Sequence, residues 1–469
     1  MDDRVISKID KLIEESRPEL VKDLARLIPI KSVESEPKPG APFGEGPRAV
    51  LDEVLKIGKE RGFEPADYGV GVVSLALKKG QPDLGIWTHG DVVPEGDGWI
   101  YEPYNATLFE DCVIGRGATD NKGQLVSILH LFSIFRALGI ELKYNAALYV
   151  GSNEETGMRD LIGIEGNEDA KGFLNVCTPP RLSLVPDSGF PVGFAGKGKL
   201  VIGILPKTPL QNVLLEAGRP ETPGKAEAVI GITDCPDLPG CTVEKQDGKV
   251  RITVETAPRH SAHPDAEGNM VSILTKAILE ARILSAEDAG ILDFICRVAA
   301  DCNGALFGVD RPSETMGLTS FVPLEVRPGS EGRPELMLNI RYTNAFTAEE
   351  IIERIGAVSE REGFELGEIK KGVRPYVLDP NSEMIQMLNA VANEVTGQDR
   401  PPFCLSGGTY AHRLPNAYAF GMSGNKAPEG FPKGHGGAHG RDELVSLERL
   451  ERAMKIYARA LLRLNEMEW

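Results

Sequence analysis

Short apolar runs that each end in an acidic or histidine side chain are the feature of this sequence that most constrains its fold. Between residues 5 and 160 these runs alternate with stretches of helical periodicity, as in QLVSILHLFSIFRALGI followed by NAALYVGSN. This βαβ-like alternation predicts an α/β sandwich around a largely parallel sheet. In such sheets, ligands bind outside the carboxyl ends of the strands. GIWTHGD and ALYVGSNEE both place polar residues directly after an apolar run, so we expect a ligand site there.

The pattern changes near residue 197, where the segment AGKGKLVIGILPKT begins. A Gly/Pro-rich stretch, the β-like KVRITVETAPRHSAHP and the helical MVSILTKAILEARIL follow it, and they do not continue the first alternation. We therefore predict an inserted α+β lid domain over residues 197–373. Helical patterns return in MIQMLNAVANEVTG and at the end of the chain, so residues 1–196 and 374–469 are expected to form one α/β catalytic domain.

Charge and composition limit the partners and the setting. The 52 Lys and Arg against 69 Asp and Glu give a formal charge of −17, which argues against a protein that binds nucleic acid phosphates. No apolar run approaches the roughly 20 residues of a membrane span, and the acidic start is unlike a signal peptide. Seven scattered cysteines without a C-x-x-C pair favour a reduced, cytoplasmic setting.

A set of histidine and acidic residues carries the candidate chemistry, each in a loop-like context after an apolar run. These residues are His89, Asp91, Asp120, Glu154, Glu155, Asp187 and His439. Imidazole and carboxylate ligands without thiolate suit zinc, manganese or cobalt and indicate a catalytic rather than a structural site. Taken singly, each residue has an ordinary alternative: a capping pair, a solvated Glu-Glu pair or a turn aspartate. His435 and His439 are four apart, but the glycines around them disfavour the helix that an H-x-x-x-H zinc motif needs.

Taken together, the order, local sequences and separations of these residues resemble the di-zinc metallopeptidase superfamily of aminoacylases, glutamate carboxypeptidases and dipeptidases. The chain is most similar to the dipeptidase V and carnosinase-like branch. The resemblance extends over essentially the whole chain, including APFGEGPRAVLDEVLKIGKERGF, GDGWIYEPYNATLFEDCVIGRGATDNKG and SGGTYAHRLPNAYAFG.

The resemblance implies two zinc ions, with Mn²⁺ or Co²⁺ as substitutes, and it assigns their ligands. Asp120 would bridge the ions, with His89 and Asp187 on one and with Glu155 and His439 on the other. It also implies a cis peptide after Asp120. Asp91 would orient the His89 imidazole by accepting its other ring N–H. Glu154 would be the general base that takes a proton from the bridging water and passes it to the leaving amine.

The lid residues are assigned by the same resemblance. His263 in RHSAHPDAEGN would donate to the oxyanion, whereas the nearby His260 does not match the family position. Arg341 in LNIRYTN would bind the terminal carboxylate of the substrate, and Gly408 and Thr409 would complete that pocket. Ordinary alternatives stay open for two of these residues: His263 can be an exposed turn histidine, and Arg341 a strand-surface arginine.

One departure from the resemblance affects the expected lid contacts. Relatives carry an asparagine before Val-Pro where this chain has GRPETPGKAEAVI, so that Pro220 or Glu221 occupies the place. Substrate preference is expected to differ accordingly.

The sequence thus predicts a metal-dependent dipeptidase that acts on short peptides with a free C-terminal carboxylate. A monomer is favoured as the active form, with a homodimer as the alternative. Two other functions stay open: an N-acyl-amino-acid deacylase or desuccinylase, and a noncatalytic homologue that binds peptide or metal.

Overall fold

A computed structural model describes residues 3–164, 167, 170–218, 224–256, 269–422 and 427–469. The chain divides into two compact units. The first contains Met1–Phe194, Leu378–Leu405 and Thr409–Trp469, and the second contains Ala195–Val377 with Ser406–Gly408. The main segment of the second unit therefore starts two residues before the predicted insertion at 197–373 and ends four residues after it. Within the described part, no helix is both long and apolar enough to span a membrane.

The described part of the first unit contains eight α-helices. They are α1 (Asp3–Glu15), α2 (Arg17–Leu27), α3 (Glu45–Glu60), α4 (Gly123–Ala137), α5 (Arg159–Ile162), α6 (Phe173–Val176), α10 (Glu383–Thr396) and α11 (Leu447–Leu464). Leucine, isoleucine and valine side chains from the longer helices join those of the central sheet in one apolar core. Helix α4 is buried along nearly its whole length, from Gly123 to Phe135, and it packs on the two central strands defined below as β3 and β6.

The strands of the first unit form a central sheet and a small three-stranded one. They are β1 (Glu64–Asp67), β2 (Val72–Ala76), β3 (Leu84–His89), β4 (Thr107–Phe109), β5 (Cys112–Ile114), β6 (Ala146–Gly151), β7 (Leu182–Val185), β8 (Gly193–Gly196), β18 (Phe403–Leu405), β19 (Ala417–Ala419) and β20 (Leu444–Ser446). The central order is β1-β2-β6-β3-β7-β19-β8, with β18 also paired to β8, and the small sheet has the order β20-β5-β4.

The central sheet is parallel only in its middle. Strands β6, β3, β7 and β19 pair in parallel, whereas β1, β2 and β8 pair antiparallel at its sides. Every residue of β3, β6 and β7 is buried, as is typical of parallel strands covered on both faces. The structure therefore confirms the predicted α/β class. Its mixed sheet has parallel strands in the middle, and the polar loops emerge where these strands end.

The second unit is an α+β layer structure. Its strands are β9 (Gly198–Pro206), β10 (Val213–Ala217), β11 (Gly224–Ile230), β12 (Thr242–Gln246), β13 (Lys249–Thr256), β14 (Ser320–Arg327), β15 (Glu335–Tyr342), β16 (Phe364–Lys371) and β17 (Tyr376–Val377). All but β17 form an antiparallel sheet in the order β12-β13-β11-β10-β14-β15-β9-β16, while β17 pairs with Ala195 and Gly196, the residues of β8 that belong to the second unit. The helices are α7 (Met270–Ala281), α8 (Ala286–Ala300) and α9 (Ala348–Arg361), and they share one apolar core with this sheet.

Candidate metal centre

Three of the predicted ligand positions follow central strands of the first sheet. Strand β3 ends at His89, which pairs in register with Gly151, the last residue of β6. Glu154 and Glu155 follow β6 by three and four residues, and Asp187 follows β7 by two. Because β3, β6 and β7 are parallel, their carboxyl ends meet at one edge, and the side chains after them converge there.

Asp120 and His439 reach the same edge from loops. Asp120 lies in the turn Ala118–Lys122, where its φ of −138° and ψ of 89° interrupt the helical backbone, and the peptide bond to Asn121 is cis. Its Oδ1 lies 3.0 Å from His89 Nε2, and its Oδ2 lies 3.1 Å from His439 Nε2. The two oxygens of this carboxylate therefore face two different imidazoles.

Two groups of possible ligands result, and they share Asp120. One consists of His89, Asp120 and Asp187, and the other of Asp120, Glu155 and His439, with the ligand atoms of each group within 4.8 Å of one another. His89 Nε2 lies 3.9 Å from Asp187 Oδ2, and His439 Nε2 lies 3.0 Å from Glu155 Oε2. The structure thus brings together the two ligand sets that the resemblance implies, although metal binding by them stays a prediction.

Burial and mutual repulsion shift the pKa values of the carboxyl groups. Burial raises the pKa of Glu154 well above its ordinary value, and the Asp187 carboxylate adds to this shift. Burial and Asp120 likewise raise the pKa of Glu155, and they raise that of Asp187 to about 7. Burial also opposes ionisation of Asp120, but the imidazoles of His439 and His89 outweigh it and hold the pKa of Asp120 well below its ordinary value.

The imidazoles are shifted toward the protonated form by the carboxylates beside them. Burial lowers the pKa of His439, but Glu155 and Asp120 outweigh it and raise this pKa to about 12. Burial also lowers the pKa of His89. Asp120 and Asp91 outweigh this effect and raise the pKa of His89 well above its ordinary value. A metal ion binds the neutral imidazole, so it would have to displace these protons.

The donor set fits divalent cations. The carboxyl groups of Asp120, Glu154, Glu155 and Asp187 share this buried cluster with only two imidazoles, so acidic groups outnumber basic ones. Oε1 of Glu154 and Oε1 of Glu155 are buried, and no described residue is their hydrogen-bond partner. Buried charge of one sign is costly unless it is paired or coordinates a cation. Nitrogen and carboxylate oxygen donors of this kind suit zinc, manganese or cobalt.

Asp91 contacts more of the site than the sequence indicates. His89 Nδ1–H donates to the Asp91 backbone carbonyl at 3.0 Å, whereas the nearer carboxylate oxygen lies 3.5 Å away. That carboxylate accepts the Glu154 N–H at Oδ1 (3.2 Å) and the Glu155 N–H at Oδ2 (3.1 Å). The backbone of Asp91 therefore orients the imidazole at hydrogen-bond distance, and its side chain holds the loop of the two glutamates.

A second buried carboxylate, which sequence reasoning missed, supports the start of the same loop. Asp160 Oδ2 accepts the N–H groups of Ser152 (2.8 Å) and Asn153 (3.1 Å) and the Tyr410 hydroxyl. Gly151 lies against this cluster, because a Cβ there would overlap both the Tyr410 hydroxyl and the Asp160 carboxylate. The clue in the sequence is an acidic residue shortly after GSNEETG, which by itself is too common to single out.

The remaining predicted residues lie elsewhere or cannot be placed. Arg341 is a buried residue of β15, and it pairs in register with Ser320 and Lys199. Thr409 caps a short helical turn, where its hydroxyl accepts the Ala411 N–H at 3.2 Å. Gly408, next to it, falls in the second unit. His263, His260, Pro220 and Glu221 lie outside the described residues.

His435 belongs to neither ligand group. Its Nδ1 contacts the Asp442 carboxylate, whose other oxygen accepts the N–H groups of Ile100 and Tyr101, both at 2.9 Å. The segment around His435 and His439 is a series of turns and bends, so the two histidines do not share a helix face.

Comparison with known families gives a match over most of the chain. The model of peptidase family M20/M25/M40 matches residues 85–463. A Bacillus subtilis protein named "Putative dipeptidase YtjP" is 26% identical over 96% of this chain and 97% of its own length. "Putative dipeptidase SH1171" of Staphylococcus haemolyticus is 25% identical, with 96% and 97% covered.

Solved structures show the same fold. Human carnosine dipeptidase 1 superposes with a TM-score of 0.60 at 14% identity, and the dipeptidase Dug1p from Saccharomyces cerevisiae with 0.58 at 15%. Both alignments cover 99% of each chain. At this level of identity the likeness is one of fold.

Proposed function

The chain belongs to peptidase family M20/M25/M40, a family of metal-dependent peptidases, and on that premise we propose that it is a di-zinc dipeptidase. Its substrates would be short peptides with a free C-terminal carboxylate, and the amide bond would be hydrolysed by water. The names of the relatives from Bacillus subtilis and Staphylococcus haemolyticus support the dipeptidase assignment.

The observation that carries the proposal is the position of Asp120 between the two ligand groups. Its Oδ1 faces His89 and its Oδ2 faces His439, so one carboxylate can serve two ions. Asp187 would complete one set of ligands and Glu155 the other. When bound, the ions would polarise the scissile carbonyl and lower the pKa of the attacking water from about 15.7 toward 7.

Glu154 is the proposed general base. It is buried and belongs to neither ligand group, and its Oε1 has no hydrogen-bond partner in the part of the chain that the structure describes. That oxygen would accept the proton of the water and then deliver it to the leaving amine nitrogen. A pKa raised by burial suits this double role, because the group must hold the proton between two transfers.

We propose that Arg341, with Gly408 and Thr409, binds the substrate carboxylate and that His263 stabilises the oxyanion, as the resemblance implies. A planar guanidinium binds a carboxylate through two parallel hydrogen bonds, which lysine cannot reproduce. Arg341→Lys should therefore raise KM for a dipeptide while leaving KM for the corresponding dipeptide amide unchanged. An equal rise for both substrates would remove Arg341 from this role.

The test of the proposed function is a substrate panel. Enzyme stripped with chelator and reconstituted with Zn²⁺, Mn²⁺ or Co²⁺ is given dipeptides, their N-acetylated forms and a tripeptide. Metal-restored cleavage confined to free dipeptides supports the dipeptidase. Cleavage of N-acylated substrates alone would replace it with a deacylase or desuccinylase, which shares the metal chemistry but not recognition of the free amine. No metal-dependent cleavage of any would leave the noncatalytic alternative.

A monomer is the proposed active form, and a cytoplasmic setting is proposed from the seven free cysteines. Mixing His263→Ala protein with Glu154→Ala protein tests the first point. Recovered activity would mean that subunits share sites and would contradict the monomer. Fractionation of cells tests the second.

A further inference from the structure

His439 stands in a backbone conformation that needs external support. Its φ is 60°, in the left-handed region that non-glycine residues seldom adopt, and its side chain is 46% exposed. The neighbouring glycines, Gly436, Gly437 and Gly440, have no side chains to anchor the segment. Strained backbone of this kind persists only where surrounding contacts hold it in place.

Arg116, in the segment just before Asp120, provides such a contact. Its side chain is 1% exposed, and Nη2 donates to the backbone carbonyls of His439 (3.3 Å), Pro94 (3.3 Å) and Glu95 (3.1 Å). The guanidinium also lies over the Trp99 ring, 5.2 Å from its centroid. One buried cation therefore joins the loop after β3 to the loop that carries His439.

Glu443 is the partner of this cation, and it holds the backbone of the bridging aspartate. Its Oε2 accepts from Arg116 Nη1 (2.6 Å) and from the Gly117 N–H (3.1 Å). Its Oε1 accepts from the N–H groups of Thr119 and Asp120, both at 3.0 Å. With 1% of its side chain exposed, every contact of this carboxylate is made inside the protein.

We propose that the Arg116–Glu443 pair is a positioning unit that fixes His439 relative to Asp120 and so sets the metal affinity of the position formed by Asp120, Glu155 and His439. This inference rests on the proposed two-metal function and deepens it. Among the described residues, the hydrogen bonds of the pair join its two members to each other and to backbone groups, so it acts on the ligands through the backbone. Partners behind the ligands of a metal typically change its affinity by about 10- to 100-fold when they are mutated.

The other metal position has supports of its own. His89 ends a buried strand and donates to the Asp91 carbonyl, and Asp187 Oδ1 accepts the Asn121 side-chain N–H at 3.2 Å. Disturbing Arg116 or Glu443 is therefore expected to weaken the His439 position selectively, although both positions share Asp120.

The test uses Glu443→Gln and Arg116→Lys in the full-length protein. The glutamine keeps the shape of the side chain, but its amide N–H₂ faces two donors whichever way it is turned. The lysine keeps the charge but lacks the fork that reaches both Glu443 and the three carbonyls. Asp23→Asn is the matched control, because Asp23 is a buried carboxylate whose described hydrogen bonds go to Arg61 and His130 and not to a ligand loop.

Binding of Zn²⁺ is measured by equilibrium dialysis, and binding of Co²⁺ by its visible absorption, in metal-stripped protein. His439→Ala and Asp187→Ala assign the two binding steps. His439→Ala removes the binding step of the His439 position, and we expect Glu443→Gln and Arg116→Lys to lower the metal affinity of that step by about 10- to 100-fold. The other step, which Asp187→Ala removes, should keep its affinity in both variants. Asp23→Asn should change neither step.

The outcomes separate this inference from the function beneath it. Equal weakening of both steps, or no change in either, would overturn the positioning role. Circular dichroism and thermal unfolding of the stripped proteins check folding, and the ratio of the two affinities within each variant is independent of the folded fraction. Wild-type protein that binds a single equivalent of Zn²⁺ would instead overturn the two-metal proposal itself.

Discussion

Replacing Asp91 by asparagine tests how the glutamate loop is held. The Asp91 carboxylate is buried and accepts one backbone N–H at each oxygen, from Glu154 and from Glu155. Asparagine keeps one acceptor and turns the other position into a donor that faces an N–H. One buried hydrogen bond is then lost and its donor is left without a partner, at a cost of about 1–3 kcal/mol.

If that cost falls on the placement of Glu154, kcat should decrease by about 5- to 150-fold, because each 1.36 kcal/mol corresponds to a factor of ten. Metal affinity at the His89 position should change little, since the Asp91 backbone carbonyl still accepts from His89. The assay is kcat on a cleaved dipeptide at saturating Zn²⁺, with metal affinity measured in parallel.

The matched control is Asp83→Asn, at a carboxylate that accepts the Asn145 N–H just before β3 and away from the ligands. It should keep wild-type kcat. An unchanged kcat for Asp91→Asn, or a loss that saturating metal fully repairs, would refute this account of Asp91.

Three further predictions concern stability and protons. Burial raises the pKa of Asp160 to about 7, so in metal-free protein folding favours its protonated form. As pH rises from 5 to 7, wild type should therefore lose unfolding free energy relative to Asp160→Asn, by up to about 1.4 kcal/mol per pH unit. Urea unfolding measures this difference, and a wild type that gains stability relative to Asp160→Asn as pH rises would be contrary evidence. Gly151→Ala should lower the free energy of unfolding by about 1–3 kcal/mol, because the added Cβ would overlap Tyr410. In the control Gly290→Ala the Cβ meets open space, so the change should be neutral or stabilising; thermal unfolding measures both variants. Adding Zn²⁺ to stripped protein at pH 7 should release protons into a weak buffer, because the carboxylates raise the pKa of His439 to about 12. The same addition should stabilise the fold by about 2.7 kcal/mol at a free ion concentration 100 times Kd. Neither change is expected if these residues bind no metal.

The fold class was largely predictable, and so was the placement of several candidate ligands after strands, because each depends on local sequence. That these residues bind metal stays a prediction. The apolar runs ending in GIWTHGD and ALYVGSNEE are the buried strands β3 and β6, and their polar residues lie at the strand ends as expected. The sheet is less parallel than its alternation suggests, since β1, β2 and β8 pair antiparallel at its sides. Pairing direction depends on neighbours in space, which periodicity does not report.

The supports behind the ligands could not be predicted, because they join residues far apart in the chain. Arg116 and Glu443 are separated by 327 residues, and Tyr410 and Asp160 by 250. Arg116 lies four residues before Asp120 in GRGATDNKG, and Glu443 lies four residues after His439 in GGAHGRDE, but only the fold brings them together. The sequence predicts that the Asp91 carboxylate orients His89, whereas the bonds of that carboxylate to the glutamate loop depend on the alignment of β3 with β6.

The most direct measurement of the central claim is the effect of Glu154→Gln on a protein with its metals in place. Glutamine preserves the shape of the side chain but cannot accept the proton of the water. With Zn²⁺ content equal to that of wild type, kcat on a cleaved dipeptide should fall by about 10²- to 10⁴-fold, the usual contribution of a general base. A Glu154→Gln protein that retains both metal and wild-type kcat would contradict the account.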